Sequence, residues 1–305
     1  SMNRFSEGEG SYLQILKSPF IPRFHQKLFI DKINELILKD NEKNILVGAI
    51  PRSGKSYIMG GTILDYLDKT DKSLKNFLLI TPAPTETFGE YEKLFENYID
   101  FTTKGVKPIY LGRSKVPSSK QEKHHVYIAS KQLLGWEEGT KENEEQIDDK
   151  EFKKGDLKKI QKELKNIQKY FKGVNDFDLI FLDEAHFGLS TKSAQLILEE
   201  INKLSKNAEK TPKVFVTATY NKPSRIYNIK EECKLTWDVN DVQVMKDLTK
   251  ENYKKNYIRE RFGDKIYDNA IISEGSIEEL SSQYSKFPKP YLITSVWDKD
   301  YVNSE

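Results

Sequence analysis

Cysteine is nearly missing from this chain: Cys233 is the only one in 305 residues. A single thiol excludes an internal disulfide and any metal site built on several cysteines, and it fits a reducing compartment. Histidine is scarce as well, and His25, His124, His125 and His186 fall at spacings that match no metal-ligand pattern. No apolar run approaches the roughly 18 residues of a membrane-spanning helix, so no membrane partner is expected. The opening SMNRFSEGEGSY lacks the apolar centre of a secretory signal, and its first two residues read as the scar of a cleaved tag. The expected setting is intracellular. Arginine is sparse beside lysine, 7 against 42, a bias that an A/T-rich coding sequence explains without any role in function.

What is present points to a folded core under a charged surface, with 37% hydrophobic and 31% charged residues. The net charge of +2 hides an asymmetry: Glu137 to Glu151 carries −6, which leaves +8 on the rest. A basic face for an anionic partner is compatible with that, but bulk charge does not establish one. Short apolar runs at 44–49, 77–81, 108–111, 126–129, 178–182 and 213–217 read as strands buried on both faces. Helical patterns at 24–38, 56–67, 90–98 and 190–204 lie between most of them. Alternating strands and helices predict an α/β fold with a central parallel sheet.

Two segments depart from this rhythm. Residues 136–172 form a charged insertion: an acidic first half, then Leu157, Ile160, Leu164, Ile167 and Phe171 on one helix stripe. That stripe suits a helix docked on the surface, or an element that guides a strand or binds a partner. The tail after Asn221 reads as largely helical, with a capping pattern at Ser276 and Glu279 and one further strand at 291–297. Residues 112–125 form a basic loop whose Arg113, Lys115 and Lys120 suit either phosphate contact or plain solvation.

The chemistry concentrates at GAIPRSGKSYIMGG, Gly48 to Gly61. Here a turn joins an apolar strand to a helix, the setting a phosphate-binding loop requires. Such a loop aims main-chain N–H groups at phosphate oxygens, and the helix start adds unpaired donors and a positive dipole end. Gly54 lets the main chain come close, Lys55 supplies an ammonium for the outer phosphates, and the Ser56 hydroxyl is a Mg²⁺ ligand. Counting back from Gly54, the place usual for a first glycine holds Ala49, which is tolerable if that position needs no positive φ. Further on, FDLIFLDEAH (177–186) is an apolar strand that ends in two acids. At the carboxyl end of a parallel strand, Asp183 can hold Mg²⁺ and Glu184 can orient or deprotonate an attacking water.

Together these residues resemble superfamily 2 helicases and translocases, and Asp183-Glu184-Ala185-His186 spell the DEAH form of that group's second motif. The subgroups most alike are restriction-type translocases that act on DNA and related viral helicases. PRFHQ (22–26) resembles the element in which a glutamine reads the adenine edge, which makes Gln26 the residue that selects ATP. LLITPAPTET (78–87) and VYIASKQLL (126–134) are similar to elements that grip a nucleic-acid backbone. VFVTATYNKP (214–223) resembles the third motif, where Thr217 and Thr219 link nucleotide state to movement and His186 connects to them. The nucleotide-binding set is completed by Arg52, Ser53 and Tyr57. Arg52 stands where many relatives have a second glycine.

The resemblance implies a RecA-like P-loop NTPase domain over residues 1–225, with ATP and Mg²⁺ as cofactors and nucleic acid as partner, DNA favoured over RNA. It implies a partly helical connector over 226–305 that leads toward a second RecA-like domain absent from this chain. Without the arginines of that domain, weak ATP hydrolysis and no duplex unwinding are expected. Two other readings stay open at this point: a non-catalytic nucleotide-binding switch within a larger assembly, and a motor that runs on RNA.

Overall fold

A computed structural model describes residues 17–82, 84–112, 121–131, 133–134, 176–184, 211–218, 229–246 and 258–274, with positions 171, 174, 198, 201 and 227. The insertion stripe at 157–167, the basic residues 113–120, most of the 190–204 helical pattern and the 291–297 strand pattern lie outside the described residues. Seven strands form one sheet: β1 (Asn44–Ala49), β2 (Asn76–Thr81), β3 (Val106–Tyr110), β4 (His124–Ser130), β5 (Leu179–Leu182), β6 (Lys213–Thr217) and β7 (Lys234–Trp237). Their spatial order is β3-β4-β2-β5-β6-β1-β7. Every pairing is parallel.

The strands form where consecutive apolar residues occur. In β2, Phe77, Leu78, Leu79 and Ile80 are all buried, as are Leu179 to Leu182 in β5 and Val214 to Val216 in β6. Neighbouring residues of a strand face opposite sides of the sheet, so unbroken burial requires cover on both faces. Each such Leu, Ile or Phe removes enough apolar surface from water to contribute about 1.5–3 kcal/mol.

The described helices are α1 (Phe24–Leu38), α2 (Lys55–Lys69), α3 (Pro84–Asn97), α4 (Ile99–Thr103), α5 (Val239–Lys246) and α6 (Asp264–Glu274). Close approach of α2 to its neighbours explains the glycine pair that ends the loop sequence. A Cβ on Gly61 would lie 2.2 Å from Ile30 Cδ1 of α1, and one on Gly60 would lie 2.9 Å from Leu94 Cδ2 of α3. Asn34 fastens the same α1–α2 seam, donating to Thr62 O at 3.1 Å and to Asp65 Oδ2 at 2.7 Å.

The segment before α1 is tied across the domain. Ser18 N donates to Asn97 O, Ile99 N donates to Ser18 O, and Phe20 N donates to Asp100 Oδ2 at 2.6 Å. The Phe20 ring stacks on Tyr57 and meets Tyr98 and Phe101 edge-on. These contacts set where Arg23 to Gln26 enter α1.

Residues 234–237, within the segment expected as a partly helical connector, form the seventh strand, paired along β1 from Leu46 to Ala49. Beyond them, Phe262 and Tyr267 pack edge-on against Phe29 and Phe24 of α1. Arg261 bonds to buried Asp241 at 2.8 Å. Much of the described tail therefore packs against the same sheet and helix as the rest.

Candidate functional site

The carboxyl ends of β1, β5 and β6 open side by side, since β6 pairs with both of the others. The loop between β1 and α2 lies over this edge. Ala49 is the last residue of β1 and has no positive φ. The turn asks nothing of that position that alanine cannot meet, so the displaced Gly48 needs no compensation. The left-handed geometry falls later, at Arg52 with φ 65° and at Gly54 with φ 78°. Arg52 is exposed and holds a conformation that costs an L-residue about 1–2 kcal/mol. The glycine that many relatives carry there would adopt it freely.

Gly54 caps the start of α2 and lies under Gln26. A Cβ there would come within 2.3 Å of Gln26 Nε2. Gln26 is buried and both its polar groups are engaged: Nε2 donates to Ser53 O at 3.1 Å, and Oε1 accepts from Arg23 N at 2.9 Å. His25 Nε2 donates to the same Ser53 carbonyl at 2.8 Å, which fixes its tautomer. Burial keeps the His25 pKa below its ordinary value, so the ring is neutral at pH 7. Its other support is Trp237 of β7, stacked at 5.4 Å, whose carbonyl accepts from Ile50 N at 3.1 Å. The loop is thus gripped from α1 and from β7.

The acidic pair faces this loop. Lys55 Nζ lies 3.2 Å from Glu184 Oε1. Asp183 is only 7% exposed. Its Oδ2 accepts from Tyr91 OH of α3 at 2.9 Å, and its Oδ1 accepts from Glu184 N at 2.9 Å. Burial raises the Asp183 pKa to about 6, and the charge of Glu184 adds to the rise. The Tyr91 hydroxyl, the Lys55 charge and the Glu184 N–H act the other way. Tyr91 itself is held far above the usual tyrosine range, chiefly by burial, so it stays a hydroxyl donor. Glu184 is the other strained position, with φ 48°. Its carbonyl accepts from Lys131 Nζ at 2.8 Å.

The structure therefore brings Gln26, Ser53, Gly54, Lys55, Asp183 and Glu184 into one neighbourhood. Ser56 and Tyr57 lie in the first turn of α2, where Tyr57 OH meets Tyr98 OH at 2.6 Å. Thr217 closes β6 and is fully buried. His186 and Thr219 lie outside the described residues. Lys131 and Tyr91 were not singled out by sequence. They reach the acidic pair from 53 and 92 residues away, and neither carries a local signature of that contact.

The arrangement fits a magnesium–nucleotide complex. Among the described residues no group of three or more His, Cys, Asp or Glu is placed to enclose a metal. Mg²⁺ does not need one, since it is ordinarily held by one or two carboxylates or hydroxyls together with phosphate oxygens and water. The oxygens available here, Ser56 and Asp183, are of that kind. The buried hydroxyl of Ser53 has no partner. The buried Asp183 carboxylate disfavours its own charge, which a cation would relieve.

The model of the family described as the type III restriction enzyme res subunit matches residues 20–222. No curated protein matches the chain. Among solved structures, the UvsW helicase from bacteriophage T4 is similar at 18% identity with a TM-score of 0.42, over 78% of this chain and 67% of that one. Mss116p, solved with single-stranded RNA and AMP-PNP, is similar at 14% identity with a TM-score of 0.44, over 76% of this chain and 47% of that one.

Proposed function

Since the chain belongs to the type III restriction enzyme res subunit family and carries a superfamily 2 RecA-like domain, we propose that it is the first motor domain of an ATP-driven translocase or helicase acting on DNA. One observation carries this reading: Lys55 of the loop and Glu184 of the acidic pair meet at 3.2 Å, with Asp183 buried beside them. Side chains from elements 129 residues apart converge where the γ-phosphate of a nucleotide on the loop would lie.

Bound Mg²⁺ would draw charge from the phosphate oxygens as the terminal P–O bond breaks. The chain's own residues do the rest. The N–H groups of the loop and the first turn of α2 hold the phosphates. Lys55 leaves Glu184 for the outer phosphate oxygens, which frees the Glu184 carboxylate to accept a proton from water. Asp183 and the Ser56 hydroxyl would hold the metal. Gln26 and His25 hold the loop through Ser53 O, so occupancy of the site is felt in α1 and β7. In this reading the motor chemistry belongs to the whole sheet, β7 included, and Thr217, Thr219 and His186 relay the nucleotide state.

Glu184→Gln tests the assignment. It keeps the size of the side chain and its reach to Lys55 but removes the proton acceptor. ATP binding should persist within about threefold while hydrolysis falls about 10²-fold or more. Unchanged turnover would refute the assigned base. Single-stranded DNA should stimulate hydrolysis more than single-stranded RNA of the same length, and equal stimulation would remove the preference for DNA.

A further inference from the structure

The proposed chemistry gives no role to Lys131, a buried cation beside the acidic pair. Lys131 is 5% exposed, and a lysine ammonium taken out of water is costly unless strong acceptors receive it. It directly follows β4, and its N–H donates to Thr81 O at 2.8 Å. Thr81 ends β2 opposite Ser130, so strand pairing fixes the main chain of Lys131. Its side chain then passes the end of β2 to β5 and donates to the Glu184 carbonyl at 2.8 Å.

That carbonyl belongs to a glutamate at φ 48°. A left-handed glutamate persists only where its surroundings over-determine it. Attachments that bear on it include Lys131 on the carbonyl, Asp183 Oδ1 on the N–H at 2.9 Å, and Lys55 on the carboxylate at 3.2 Å. The last of these must give way when a nucleotide takes Lys55. The first two act on the peptide itself and stay in place.

We propose that Lys131 is a positioning residue that keeps the Glu184 main chain left-handed, so that its carboxylate stays aimed at the space above the phosphate loop. The role rests on the reading of Glu184 as the group that works on water. The role assigned to Lys131 is exerted on Glu184 and not on nucleotide or water.

Lys131→Met keeps the apolar stem and removes the donor, and Lys131→Gln keeps polarity with less reach. One well-folded variant of the two suffices. In single-turnover assays on the whole chain, hydrolysis should fall about ten- to a hundredfold, the size of a small misplacement of a catalytic group. Affinity for a fluorescent ATP analogue with Mg²⁺ should stay within about twofold of the unaltered chain. Added to Glu184→Gln, the substitution should cause no further loss, because it acts through the same group. A wild-type rate, or losses that multiply in the double variant, would overturn the role. An active Glu184→Gln chain would sink the functional reading instead, and a crystal structure of the Lys131 variant then decides the inference alone. The Glu184 φ should leave the positive range, and an unchanged φ contradicts the proposal.

Discussion

Two aspartates bracket β5, and their surroundings differ in kind. Asp178, at the amino end, accepts from Asn76 N at 2.8 Å and faces Lys75 Nζ at 3.7 Å. Burial raises its pKa and the charges of Asp176 and Asp71 add to the rise, while that N–H and the Lys75 charge oppose it. Around it, Lys75 N donates to His124 Nδ1, and the Lys75 carbonyl accepts from His125 N and Gln121 Nε2. Asp183, at the carboxyl end, has a second carboxylate as its neighbour and is pushed up to about 6. Orphaned atoms alone do not separate the two edges, since Asn76 Oδ1 lacks a partner at one as Ser53 Oγ and Thr81 Oγ1 do at the other. Strain at charged residues does. Arg52 and Glu184 are left-handed at the carboxyl edge. At the amino edge the left-handed Asn41 sits exposed in a turn, where asparagine adopts that shape readily. One end of the sheet has satisfied its charges, and the other has kept them poised for a ligand.

Substitutions at the two edges should therefore fail in different ways. Gly54→Ala should have the largest effect, because it combines a positive φ with a Cβ 2.3 Å from Gln26 Nε2. Nucleotide affinity should fall more than about tenfold, as the strain and the displaced clamp together exceed 1.4 kcal/mol, and near-normal affinity would mean the loop is not the phosphate site.

Asp183→Asn should do the reverse to stability. The folded chain takes up a proton at Asp183 near pH 6, and the unfolded chain does so near about 3.9. Stability from this group is thus complete below the lower value and is lost as pH rises through 6. At pH 7 the buried charge costs on the order of 3 kcal/mol. Its removal should raise the melting temperature at pH 7 by roughly 3–6 °C, with the gain shrinking at pH 5 and Mg²⁺-dependent hydrolysis abolished. A lower melting temperature at pH 7 would contradict the burial argument. The smallest effect is expected at the amino edge. Lys75→Met leaves Asp178 without its cation and should lower the melting temperature by about 2–4 °C, while nucleotide affinity stays unchanged. Calorimetry and a binding titration on the same sample separate the two outcomes.

Much of the sheet was legible in the sequence, because β1, β2, β4, β5 and β6 are buried on both faces and are therefore largely apolar along their length, while β3 at one end of the order exposes Lys107. The runs at 44–49 and 213–217 match β1 and β6 residue for residue, and 24–38 matches α1. β7 escaped notice for a physical reason. It is four residues long and lies at the end of the strand order, and only Leu235 and Trp237 are buried. Two apolar residues in alternation do not stand out from a helical background. The same distinction applies to the site. The loop and the acidic pair are local words in the sequence, whereas Lys131 and Tyr91 act across strands and only pairing brings them near.

β7 also bears on how this molecule can be trimmed. The family match stops at residue 222, a tempting place to cut. A fragment ended there would leave β1 as a bare flank with unpaired amides and carbonyls, an invitation to self-association. It would also strip the indole from beneath His25 and the carbonyl from Ile50, and so loosen the nucleotide loop from behind.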